Sequence, residues 1–247
     1  MKYFLLVLLF CFSCADKKAE ENIAVTETSE TVTTEAEESP KEKIVDKFDL
    51  ESITDGDFPN EIKIVNSRNV LDKDSITTGF YTIDFYKNGK KIDSHPMQIE
   101  FLETQGEWYL SQNLGEETEQ TDKRFLVIGN GIAACGYSHT KALFYLSENG
   151  AQLIQTWDST MDSGFGNYMD FIPKFSNGKI ASFISRNVEA SPEDDITESG
   201  DGNAVISYSD STYNFMENNK WKKKSLTPKG KVYREEKMTE KQYFEVK

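Results

Sequence analysis

The sequence predicts a mostly β, antiparallel fold, a sandwich or an incomplete barrel, on two observations. Polar pivots at Asn88-Gly89, Asn149-Gly150, Asn177-Gly178 and Asn218-Asn219 each interrupt segments suited to strands. Asn and Gly accept the positive φ angles of the primed turns that join twisted strands. Around the two middle pivots, residues 142–157 and 170–185, the flanks are aromatic and β-branched, as a pleated, half-buried surface requires. Recurring hairpins also fit the blades of a β-propeller, which stands as the alternative. The pivots start 61, 28 and 41 residues apart, so no steady repeat selects that geometry.

The chain opens with Lys2 and an apolar run over residues 3–12, followed by Ser13, Cys14 and Ala15. One cation and a short apolar run make an export signal, too short for a comfortable permanent span. With a small residue directly before a cysteine at the end of that run, the N-terminus resembles those of bacterial lipoproteins. Cys11 stands where that family commonly has leucine. The resemblance implies cleavage after Ser13, acylation of Cys14 and attachment to membrane lipid. It also implies delivery to the cell envelope, and Ala15 at the following position favours the outer membrane. It covers about the first tenth of the chain and implies nothing about activity. Residues 1–13 are thus expected to be removed, 14–47 to form the lipid anchor and an acidic spacer, and 48–247 a single β-rich domain. The spacer is rich in Glu and Thr with few large apolar side chains, so burial cannot offset its ordering entropy.

The net charge of −14 argues against duplex DNA as a partner. Of three cysteines, processing would leave Cys14 carrying lipid and Cys135 alone, so no internal disulfide is expected and the core must suffice. Cys135 reads as a small buried apolar residue.

Within the body, Asp55, Gly56, Asp57, Pro59 and Asn60 make a turn cluster before a short strand at 62–65. A strand at 79–86 leads to Asn88-Gly89, and its partner arm reaches 97–102, with Pro96 favouring an edge or bend over a regular hairpin. A short strand at 106–110, a polar loop at 113–123 and an apolar run at 125–128 precede the central hairpins. Residues 186–203 read as an acidic, turn-rich interval. Strands resume at 204–209 and 213–216, and 231–234 reads as a last strand. Residues 236–246 suit either a short helix or an extended edge.

Gly129-Asn130-Gly131 with Ala134 matches a permissive dinucleotide fingerprint after an apolar run, but Gly136, Ser138 and Thr140 interrupt the helix it needs. A tight strand connection is expected there, and no cofactor. Cys135 and His139 share a face in either secondary structure but lack a remaining ligand set. Asp158, Asp162 and Asp170 supply carboxylates for acid and base roles, with Asp158 and Asp162 the exploratory pair.

The sharper binding clue is Lys220, Lys222, Lys223, Lys224, Lys229, Lys231 and Arg234: seven basic residues and no acid over 220–234, around Trp221. On a twisted hairpin, Trp221, Lys222, Lys224, Lys231 and Arg234 would form a cationic rim around a stacking ring, suited to an acidic envelope polymer or protein. Lysines also guard exposed sheet edges against unwanted pairing. The functional expectation is therefore a membrane-tethered envelope binding or structural module. The alternative is a noncanonical hydrolase acting on an envelope glycan or peptide.

Overall fold

The computed structural model describes residues 42–51, 57–101, 106–112, 114, 122–132, 137–193 and 202–246. The export signal, Cys14, the spacer up to residue 41 and Cys135 lie outside the described residues. The fold is mostly β and antiparallel, in two sheets that pack as a sandwich without closing into a barrel.

Strands β1 (Lys43–Asp49), β2 (Glu61–Leu71), β3 (Thr77–Lys87) and β4 (Lys90–Phe101) form a four-stranded meander. A second meander runs through β5 (Glu107–Ser111), β6 (Phe125–Gly131), β7 (Tyr137–Ser147), β8 (Gly150–Asp162), β9 (Phe165–Ser176), β10 (Lys179–Pro192), β11 (Asn203–Glu217) and β12 (Lys220–Ser225). Strand β13 (Arg234–Thr239) pairs with the half of β11 that β12 leaves free, and helix α1 (Glu240–Val246) follows it.

The expected turns carry the expected strain. Asn88 and Gly89 sit at φ 50° and 76°, Asn177 and Gly178 at 51° and 71°, Asn218 and Asn219 at 52° and 59°. Asn149-Gly150 differs: Ser147 pairs with Gly150, so Glu148 and Asn149 form the loop and Gly150 begins β8. Other expectations are corrected. β1 takes in residues 43–47 of the expected spacer, because Val45 and Phe48 pack on the core. β4 runs unbroken through Pro96, opposite Thr82, because it is an edge strand and can spare one N–H. Residues 186–192 are strand rather than loop, and Val188 and Ala190 point into a core. The C-terminal segment is both alternatives in turn, a strand and then a helix, while 231–233 precede that strand.

Packing explains why the long sheet folds back on itself. β8 and β9 pair only over Thr160–Asp162 and Phe165–Asn167, so the strands on either side of that joint separate. One face of β5–β8 meets the four-stranded sheet, Leu126, Ile128 and Phe144 joining Ile64, Ile83 and Phe85. The opposite face meets the folded-back strands, Phe125, Val127 and Leu143 joining Phe171, Phe183 and Trp221. Every residue of β6 is buried. A third cluster, including Val188, Ala204 and Tyr208, is capped by Tyr243 of α1, which stacks on Phe165.

Polar contacts fix how these layers align. Gln152 both accepts from the Trp221 N–H (2.8 Å) and donates to its carbonyl (2.9 Å), joining β8 to β12. On the other side, Ala151 donates its N–H to Asp93 (3.0 Å) and its carbonyl accepts from His95 Nε2 (2.7 Å), joining β8 to β4. Asp122, 6 % exposed, accepts from Arg124 Nε (2.8 Å) and from the Ile180 N–H (3.1 Å), joining the entrance of β6 to β10. Burial alone would raise the Asp122 carboxyl, but the Arg124 guanidinium and the two backbone donors outweigh it and hold it below the usual range.

A group lowered in this way contributes stability above its unfolded pKa and loses it as pH falls through the folded one. Asp122→Asn is therefore expected to cost about 3 kcal/mol at neutral pH by orphaning Arg124. It should also flatten the acid side of the stability curve below about pH 4. Urea melts of both proteins between neutral and acid pH test this; parallel curves would show that Asp122 does not carry the linkage.

Candidate functional site

The expected patch is divided by the fold. Trp221 is 5 % exposed, its ring 5.2 Å from Phe125 and 5.3 Å from Phe183. It is core, not a stacking platform. On a strand, its neighbours Lys222 and Lys224 alternate outward while Trp221 points in. Arg234 is moved away from them, because β13 pairs with the opposite half of β11; it pairs with Glu236 and lies over the Tyr208 ring (5.1 Å). Lys231 is exposed in the turn before β13, its N–H on the Pro228 carbonyl (3.3 Å).

Lys222 and Lys224 stay together and gain aromatic company that the sequence reading missed. Register places Ile172, Ile184, Tyr213 and Lys224 in one row across β9–β12, and Lys174, Ser182, Phe215 and Lys222 in the next. Residues directly opposite share a face. Tyr213 and Phe215 stack at 5.5 Å and 16°, and Ile172 and Tyr213 remain 43 % and 37 % exposed. The two rows thus form an outer face with an aromatic and aliphatic centre and lysines at both margins. Glu217, one step further along β11, lies opposite Lys220.

A second feature lies between the layers, a cavity of about 440 Å³. Its floor is another cross-strand row: Tyr109, Gly129, Lys141 and Trp157, on β5, β6, β7 and β8. Its other walls include Tyr168, Asp170, Arg186 and Tyr208. Gly129-Asn130-Gly131 is corrected from a strand connection to the last residues of β6 itself. A Cβ at Gly129 would stand 2.3 Å from the Tyr109 ring, and one at Gly131 would stand 2.2 Å from His139 Nδ1. The glycines make room for two rings, which meet as the Tyr109 hydroxyl and His139 Nδ1 at 3.1 Å.

Electrostatics sets this cavity apart. Burial pushes the Tyr109 hydroxyl up to about 12. Burial lowers Lys141, and burial followed by the Lys141 charge lowers His139. Arg186 is neutralised by Asp170 (2.7 Å) and lies 4.4 Å over the Tyr208 ring. Among the described residues Lys141 has no such carboxylate.

The carboxylates of the hydrolase reading are dispersed. Asp170 is held by Arg186 on the first cavity, whereas Asp158 accepts from Thr140 Oγ1 (2.8 Å) beside a second cavity of about 430 Å³. Asp162 accepts from Ser163 Oγ (3.2 Å) at the β8–β9 turn. In comparisons with known proteins, the chain matches no family model, no curated protein and no solved structure.

The reassignment of Trp221 has a direct consequence for stability. Trp221→Ala should cost about 3–5 kcal/mol by leaving a core cavity. Lys222→Ala and Lys224→Ala should each stay within about 0.5 kcal/mol. Urea unfolding of the three variants measures the contrast, and a mild Trp221→Ala would remove it from the core.

Proposed function

We propose that the chain is a lipid-anchored binding module of the bacterial cell envelope, tethered through Cys14 and a spacer, whose ligand is an acidic envelope polymer. The observation that carries this reading is the pair of rows on the outer face of β9–β12. Tyr213 and Phe215 offer a stacked aromatic surface on which the apolar faces of sugar rings can rest. Lys174, Lys222 and Lys224, all exposed, flank it, and the two rows contain no carboxylate. On a chain of net charge −14, a local cationic face concentrates an anionic polymer there and repels it elsewhere.

The spacing of such a face suits a repeating ligand. Adjacent strands lie about 4.8 Å apart, so the lysines at the two margins of a four-strand row are separated by about 14 Å, a few sugar units. Binding then depends on several weak contacts rather than on one deep pocket, as is typical of exposed ion pairs.

Two measurements test the reading. Intact mass and membrane partition of the mature protein should show a lipid that Cys14→Ala loses; a soluble, unlipidated product would sink the anchor. Polygalacturonate serves as the polymer probe: Lys222→Ala with Lys224→Ala should weaken its binding up to about tenfold at low salt. The difference should shrink at several hundred millimolar salt, where screening acts within a few ångströms. Tyr213→Ala should weaken binding at both salts. Equal titrations by the parent and the lysine variants would reject this face.

A further inference from the structure

The cavity between the layers carries a second inference, independent of the outer face and of the tether. We propose that it is a binding site for a small planar organic acid, with the carboxylate on Lys141 and the ring against Trp157 and Tyr168. Size, charge and wall chemistry each narrow the ligand. A cavity of about 440 Å³ lies in the range that takes small molecules, and the rings of Tyr109, Trp157, Tyr168, Phe171 and Tyr208 stand among polar and charged side chains on its walls.

Charge fixes the ligand's valence. Among the described residues the cavity walls carry three ionised groups: Lys141, Arg186 and Asp170. Arg186 and Asp170 neutralise one another at 2.7 Å, leaving the single charge of Lys141. One carboxylate satisfies it, whereas a dianionic phosphate would bring a surplus negative charge beside Asp170. Burial already works against the Lys141 ammonium, so an anion delivered there restores what desolvation removes.

Position fixes the ligand's orientation. Gly129 separates Tyr109 from Lys141 in the floor row and the Tyr109 ring lies over it, so the ammonium borders an aromatic ring rather than a second charge. The Tyr109 hydroxyl, held protonated across the physiological range and engaged with His139 Nδ1, brings no negative charge to that side of the ammonium. Trp157 flanks Lys141 on the other side, and its ring meets Phe171 edge to face at 5.3 Å, leaving its indole fixed. A flat ring bearing a carboxylate can thus lie along the indole while its acid group reaches the ammonium. Keeping half-buried a cation that has no carboxylate partner among the described residues lowers stability, the pattern expected where a site is retained for binding.

The test uses the purified full chain, with 2-naphthoate and its neutral twin 2-naphthamide as probes in isothermal titration calorimetry. The acid should bind, and at least about tenfold tighter than the amide, as a charge-assisted contact implies. Lys141→Met should remove that preference while changing amide binding less than about threefold, and the ligand-free variant should melt a few degrees higher than the parent. Lys90→Ala, exposed at the start of β4 and in neither site, should bind both probes as the parent does. Absence of acid binding at millimolar concentration overturns the proposal, as does equal binding of acid and amide by the parent protein, a comparison that needs no variant to fold. Unchanged acid binding by Lys141→Met also overturns it.

Discussion

The whole fold depends on one constraint, that β6 must be covered on both faces. Its side chains alternate between two cores, Leu126 and Ile128 toward the four-stranded sheet, Phe125 and Val127 toward the folded-back strands. Neither partner layer alone could keep these residues from water. Burying one such side chain stabilises the fold by about 1.5–3 kcal/mol, so exposing either set would forfeit much of a domain's net stability. The break in pairing between β8 and β9 follows from this demand, because a flat continuation would have left Phe125, Val127 and Leu143 uncovered.

Apolar burial supplies the attraction between layers but does not choose their alignment, since side chains of similar size can slide past one another. The alignment comes from backbone groups engaged across the layers. Gln152 completes both hydrogen bonds of the Trp221 peptide, and Asp93 with His95 completes both of Ala151. Gln152 and Ala151 are adjacent on β8, so one short stretch registers both outer layers against the middle one. A buried backbone group left unsatisfied costs about 1–3 kcal/mol, which is the penalty a slipped arrangement would meet twice on each side.

What the sequence made legible follows the range of the forces involved. The hairpins at Asn88-Gly89, Asn177-Gly178 and Asn218-Asn219 could be read because positive φ is a demand met within two residues. The apolar run at 125–128 stood out by composition alone, and the structure makes it the centre of a strand buried on both faces. Trp221 was misplaced because its charged neighbours suggested a surface, although one apolar residue between two lysines is also how a half-buried strand alternates. Arg186 was lost in an interval whose acidic composition suggested a loop, while the alternation of Val188 and Ala190 recorded a strand. The floor of the cavity had no local signature at all. Tyr109, Gly129, Lys141 and Trp157 come from four strands, and only their register makes them neighbours.

Core and cavity are consecutive parts of the same strand. From Phe125 to Ile128, β6 fills space on both faces; at Gly129 and Gly131 it contributes no side chain, and the rings of Tyr109 and His139 occupy the room released. Beyond that point the facing residue on β7 changes too, from Leu143 opposite Val127 to Lys141 opposite Gly129. A larger residue at Gly129 would displace Tyr109 into the space the cavity now holds, so the volume of the site rests on the absence of one Cβ. Strong packing one turn of the pleat away is what allows this gap to persist, because interiors otherwise collapse around voids that cost contact energy. The strand that most firmly anchors the sandwich is therefore also the one that opens it.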